Sequence, residues 1–235
     1  MSVIKNLKVF MTPPHACSYL EDREATTLFI DPQARIDANT YAELNEIGFR
    51  RSGEHFYTPH CKSCRDCIAT RVPVKHFELS RKHRRLLNRN SDLQVMQVSS
   101  IDTDEHYALY EKYIEHRHDE GDMYPPCREQ YRGFICKGGE FGIFTEFRLG
   151  TELLAVSIAD QVRGGRSAIY TFFDPEPGRR SLGSYAILAA IQAIRESGGE
   201  YLYLGYWIRS CRKMSYKIDY RPIELYIEGR WQLLR

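Results

Sequence analysis

Between residues 166 and 206 the chain spells out a strand, an apolar helix and a second strand, and that order narrows the folds open to it. Residues 166–173 are rich in Ile, Tyr, Thr and Phe, which favour extended backbone. Asp174-Pro175 ends the strand, because proline brings no N–H to a ladder. Residues 182–195 are largely apolar, as a buried helix requires, and Gly198-Gly199 stops them. Residues 201–206 then return to strand. Two more strands precede the segment, at 140–147 and 152–161, and Arg163-Gly164-Gly165 is a hairpin signal leading into 166–173. Residues 223–227 and 231–234 read as a terminal pair. Antiparallel strands, a buried helix and a further strand predict an α+β protein, a mixed sheet with flanking helices.

The first ninety residues are less regular, broken at Pro13-Pro14, Asp31-Pro32 and Ser52-Gly53. A short helix is expected over 41–47. Val72, Val74 and Phe77 alternate over 71–77, but Pro73 among them predicts an edge strand. Ser80 is positioned as the N-cap of a helix reaching Arg89. Residues 102–116 carry Tyr107, Leu109, Tyr110, Tyr113 and Ile114 at helical spacing. No repeat or Gly/Ser linker interrupts the chain, and we expect halves at 1–95 and 96–235, the first holding the cysteine cluster and the basic helix.

Charge excludes a crude polycation: 33 basic residues stand against 31 acidic ones, so any nucleic-acid surface must be a local patch. No apolar run is long enough for a spanning helix, and the N-terminal residues do not form a secretory signal. Seven cysteines without such a signal read as reduced thiols, and hence as a cytoplasmic protein.

Five segments could carry chemistry. Arg81, Arg85 and Arg89 recur every four residues, with Arg84 beside them, so like charges share one helical face. A phosphate backbone would neutralise that face, and so would carboxylates elsewhere in the chain; Arg71 and Lys75 could extend the patch. Cys61-x-x-Cys64-x-x-Cys67 has soft-metal spacing, with Cys17, His60 and His15 as candidates for a fourth ligand, and a reduced, metal-free cluster fits equally. His116 and His118 are two apart and do not share a helix face, so they are not a chelating pair; Arg and His there also suit a helix C-terminus. Arg179 and Arg180 precede a helix start that could hold an anion, or Ser181 could simply cap that helix, while Tyr185 crowds the approach that a coenzyme A pyrophosphate would need. Finally, residues 203–217 turn from an apolar strand into a basic loop that keeps its aromatic faces, a composition suited to an anionic, base-bearing partner.

This last stretch carries a family resemblance. Gly205-Tyr206-x-Ile208-x-Ser210-Cys211-x-Lys213-Met214-x-Tyr216-Lys217 resembles a signature of the N-end rule aminoacyl-tRNA–protein transferases. Leu109-Tyr110-x-x-Tyr113 with Arg117, His118 and Asp119 resembles their central helix. Ser167-Ala168-x-Tyr170, Phe173-Asp174-Pro175 and Ser181-Leu182-Gly183-x-Tyr185 resemble their strand–loop–helix element. Ala16 to Leu20, Gly48-Phe49-Arg50-Arg51-Ser52-Gly53, Tyr57-x-Pro59 and the cysteine cluster are similar to the bacterial branch, which moves leucine from leucyl-tRNA to proteins beginning with Asp or Glu.

The resemblance implies an N-acetyltransferase-like fold in two related, packed halves, and no required cofactor. Eukaryotic relatives use cysteines like Cys17, Cys61, Cys64 and Cys67 for zinc or an iron–sulfur cluster, although Leu20 stands here where they carry a further early cysteine. It implies tRNA contact at Arg71, Arg81, Arg84, Arg85 and Arg180, and base stacking on Tyr206 and Trp207. Arg209, Lys213 or Lys217, near Tyr216, would pair with the acceptor's side-chain carboxylate. Asp119 or Asp174 would anchor the α-ammonium or accept its proton, with His118 as a further site candidate. Arginine donation, an acetyl-CoA-dependent acetyltransferase and a non-catalytic RNA-binding module are the alternative readings.

Overall fold

The computed structural model describes residues 3–119, 121, 123–176 and 180–235. Arg179, paired above with Arg180, lies outside the described residues. In chain order come strands β1 (Val9–Met11), β2 (His15–Ala16), β3 (Glu24–Ala25) and β4 (Thr27–Ile30), then helix α1 (Ala38–Glu46). Strands β5 (Arg50–Ser52), β6 (His55–Pro59) and β7 (Ile68–Pro73) precede helix α2 (Arg81–Arg89). After β8 (Gln94–Val98) follow helix α3 (Asp104–Arg117), the single turn α4 (Arg128–Gln130) and a π-helical turn at Tyr131–Cys136. Strands β9 (Gly142–Leu149), β10 (Glu152–Val162) and β11 (Gly165–Phe173) lead into helix α5 (Leu182–Glu196). Strands β12 (Tyr201–Trp207), β13 (Ile223–Ile227) and β14 (Arg230–Leu234) come last. The α+β class expected from the sequence is the one formed. Among the described residues no helix is long and apolar enough to cross a membrane.

Two compact units interleave along the chain: Met1–Glu78, Val162–Ser167 and Gly199–Arg235 form the first, Leu79–Gln161 and Ala168–Gly198 the second. The first unit holds an antiparallel sheet in the order β1-β4-β6-β5 and a second row, β14-β13-β7-β12. In that row β12 also runs parallel to the start of β11, with Gly165 opposite Tyr201. The expected edge strand at 71–77 is overturned here. β7 ends at Pro73 and is paired on both sides, by β12 and β13, with Arg71 opposite both Tyr203 and Glu224. Proline is tolerated because it is the last residue of the strand, where no interior ladder bond is lost. Val74 resumes main-chain bonding to the Glu200 carbonyl at 2.8 Å. Gly165 makes the β11–β12 approach feasible, since a Cβ there would stand 1.9 Å from the Tyr201 carbonyl oxygen.

In the second unit β8, β9 and β10 are antiparallel neighbours, and β11 follows β10 in the sheet. Helix α3 buries Tyr107, Tyr110 and Ile114 in the core of this unit. There Tyr110 lies 4.9 Å from the Tyr131 ring and edge-on to Phe172. Helix α5 buries Leu182, Leu188, Ile191 and Ile194, which explains its apolar circumference. Its expected cap is a second correction. Ser181 has left-handed backbone (φ 50°, ψ 50°), and its side chain makes no capping bond. A capping side chain needs extended backbone to swing over the first N–H groups, and Ser181 lacks it.

Candidate functional site

In the first unit the site grows from the end of β12. The β7–β12 register slips between Tyr203 and Gly205, and Gly205 takes φ +77° to allow it. Past the bulge the Tyr206 hydroxyl donates to the Gly48 carbonyl at 2.8 Å, and the ring is buried. Beside it lies Arg50 of β5, only 3% exposed. Its Nη1 donates to Phe49 O (2.6 Å), Asn45 Oδ1 (3.2 Å) and Asn45 O (3.3 Å). Its guanidinium carbon stands 5.1 Å from the Tyr203 ring centre and 5.9 Å from that of Tyr206. Nε and Nη2 are buried without a hydrogen-bond partner.

Lys217 is the second interior cation, 5% exposed. Its ammonium donates to the Tyr206 carbonyl and lies 3.1 Å from the Met214 sulfur. Burial pushes its pKa down to about 8, and the charge on Arg50 pushes the same way. Among the described residues no carboxylate pairs with either cation. Buried like charges without an anion are costly. The other residues of the segment lie outward: Trp207 is half-buried, while Arg209, Lys213 and Tyr216 are exposed.

Arg71, expected to meet tRNA, is instead held inside the first unit. Nε donates to Glu224 at 2.6 Å and Nη1 to Glu46 at 2.7 Å, with the guanidinium between the rings of Tyr201 (3.7 Å) and Trp231 (4.2 Å). Cys61, Cys64 and Cys67 share the wall of a cavity of about 430 Å³ with Arg65, Asp66 and Tyr226. Burial pushes the Cys67 thiol up to about 12, and the nearby Cys17, Cys61 and Cys64 act in the same direction. A cysteine binds a metal as its thiolate; among the described residues no three His, Cys, Asp or Glu side chains are grouped as metal ligands.

In the second unit α2 carries the basic face. Ser80 accepts from the His83 N–H at 3.2 Å while His83 Nδ1 accepts from the Ser80 N–H at 3.3 Å, a reciprocal cap. Ser80→Ala should lower stability by about 1 kcal/mol, read as a shift in urea midpoint at constant slope. His83 and Leu86 turn inward, leaving Arg81, Arg84 and Arg85 exposed, with no acidic partner among the described residues. Arg180 lies at the far end of the same helix, paired through both Nη atoms with Asp92 at 2.8 Å, and its carbonyl accepts from Asn90 at 2.9 Å.

At the end of α3, His118 Nε2 is 3.2 Å from the Tyr113 hydroxyl, and the rings lie 5.2 Å apart. Asp119 follows, exposed. Asp174 is engaged: Lys112 reaches its carboxylate at 3.0 Å, and Oδ1 accepts the Glu176 N–H at 2.9 Å. Of the residues singled out by sequence, Tyr206 and Lys217 come together, and Arg50, named only within the Gly48–Gly53 motif, lies near the Tyr206 ring.

Residues 15–85 match the family described as Arginine-tRNA-protein transferase, N terminus, and residues 105–227 the corresponding C terminus. The chain belongs to this aminoacyl-tRNA–protein transferase family, and it is an aminoacyltransferase. It is 52% identical over 234 residues to the aspartate/glutamate leucyltransferase of Saccharophagus degradans, covering 98% of each chain. It is 53% identical to that of Stutzerimonas stutzeri and 50% to that of Pseudomonas fluorescens, with full coverage of both. Among solved structures, the C-terminal domain of a putative lysylphosphatidylglycerol synthetase from Agrobacterium fabrum is similar at TM-score 0.43 and 17% identity, over 60% of this chain and 46% of that one. That likeness is too weak to carry an argument.

Proposed function

We propose that this chain transfers leucine from leucyl-tRNA to the α-amino group of proteins whose first residue is Asp or Glu. The observation that carries the acidic half of this reading is the buried cation Lys217, which no carboxylate of the described residues neutralises. The relatives named aspartate/glutamate leucyltransferase support donor and acceptor alike.

The reaction is aminolysis of an ester. The neutral α-amine forms the new C–N bond, the C–O bond to ribose breaks, and the amine proton ends on the ribose oxygen. An α-amine of pKa about 7.7–8.0 is partly neutral at cellular pH, so no protein nucleophile is needed. Alignment of amine and ester can supply roughly 7–11 kcal/mol. His118 and the exposed Asp119 are the proton carriers we favour, because Asp174 is already engaged by Lys112. Arg81, Arg84 and Arg85 take the tRNA phosphates. The parallel β11–β12 pair, connected through α5, supports an N-acetyltransferase-like arrangement, and the separate family matches at 15–85 and 105–227 support sequence halves near 1–95 and 96–235, although residues 199–235 pack with the first compact unit. Seven unpaired cysteines favour a reducing compartment, the cytoplasm.

The test is transfer by purified protein, with leucyl-tRNA and arginyl-tRNA supplied separately to peptides beginning with Asp, Glu, Asn or Lys. Leucine on Asp and Glu alone is expected; arginine transfer, or equal use of Asn, would overturn the proposal. The pH dependence follows from Lys217, whose charged neighbour is Arg50 and whose titratable neighbours are Cys67 and Cys211. The ammonium is charged below about 8, so KM for an Asp peptide should rise as pH passes through 8. Lys217→Arg should flatten that rise, since arginine keeps its charge. Stability runs the other way. The unfolded lysine holds its proton to about 10.4, so raising pH through 8 relieves the buried charge and stabilises the fold.

A further inference from the structure

Resting on the acceptor reading above, we infer that the Nε/Nη2 edge of Arg50, with Lys217 beside it, is the group that reads the side-chain carboxylate of the acceptor's first residue. Three observations carry the inference. Nη1 alone takes the acceptors offered by Asn45 and Phe49, which fixes the guanidinium plane. The opposite edge presents two parallel N–H groups, buried and without a partner. Those two donors match the spacing of one carboxylate, the geometry for which arginine is suited and lysine is not. A second buried cation in electrostatic reach, again without an anion among the described residues, makes a neutral ligand a poor match.

The exposed cations of the following loop cannot substitute. Arg209 and Lys213 stand in solvent, where an ion pair discriminates acid from amide by about fivefold at most. A buried fork rejects an acceptor that leaves it unpaired by far larger factors. On the loop side Lys217 lies 5.8 Å from the ring of Tyr216, itself 43% exposed. A bound carboxylate would satisfy the free edge of Arg50 and neutralise a site that is cationic without it.

The test compares peptides beginning with Asp and Asn, near-isosteric first residues, using saturating leucyl-tRNA and the wild type, Arg50→Lys and Arg50→Ala chains. Lysine keeps the charge and can reach the acceptors of Nη1, but offers no fork. Expected for Arg50→Lys is a fall of about 100-fold in kcat/KM for Asp with little change for Asn, and leucyl-tRNA affinity within twofold of wild type. For Arg50→Ala, added guanidinium should restore Asp transfer selectively, which holds even if the variant is less stable. An unchanged Asp-to-Asn ratio in Arg50→Lys, or rescue equal for both peptides, would overturn the inference. If the wild type itself transferred leucine to neither acidic peptide, the proposed function would fail, a result distinct from either.

Discussion

Replacing Arg71 by alanine should lower folding stability by about 3–5 kcal/mol, yet leave the salt dependence of tRNA binding unchanged. The first expectation follows from what the guanidinium holds. It pairs with Glu224 of β13 and Glu46 of α1 while lying against Tyr201 of β12 and Trp231 of β14. Removing it strands the Glu224 carboxylate, only 17% exposed, beside aromatic rings. Glu46 is 48% exposed and recovers water, so most of the loss belongs to Glu224 and the ring contacts. Urea unfolding would read the shift. A change under 1 kcal/mol would refute the hub, and a salt slope shallower by about 1 would return Arg71 to the phosphates.

The second large effect concerns α2. Arg81→Ala, Arg84→Ala and Arg85→Ala combined should flatten the slope of log affinity against log salt by about 2–3 for leucyl-tRNA. At 0.15 M salt that corresponds to about 100-fold weaker binding. Stability should stay within 1 kcal/mol, because the three side chains have no acidic partner among the described residues and like charges at this spacing repel. The acceptor KM should not move, since these residues belong to the tRNA side of the reaction. An undiminished slope would show that the phosphates lie elsewhere, with Arg180 a poor substitute because Asp92 holds both its Nη atoms.

Much of this was legible in the chain before any coordinates. The strand, apolar helix and strand of residues 166–206 carried their own signals: β-favouring residues, a proline stop and a glycine pair. Ser80 announced its cap because an N-cap is a local device. The failures were non-local. Pro73 argued for an edge strand, but whether a proline harms a ladder depends on which residue of the strand it is, and β7 ends there. Ser181 has cap chemistry and the wrong backbone, which residue type does not reveal. Arg50 sat unremarked in a Gly-Phe-Arg-Arg motif, since nothing in sequence says that its guanidinium is buried, or that Tyr203 and Tyr206 come to lie against it. Arg71 looked like part of a basic patch until β7 proved to lie between β12 and β13.

The interleaving of the two units has a temporal meaning during synthesis. All residues of the second unit have been made once the ribosome passes position 198, whereas the first still waits for residues 199–235. Within the first unit, Arg50 of β5 and Lys217 are separated in the chain by the whole of the second unit. A nascent copy arrested before β12 has every residue of the second unit, α2 included, while the first unit still lacks β12, β13 and β14.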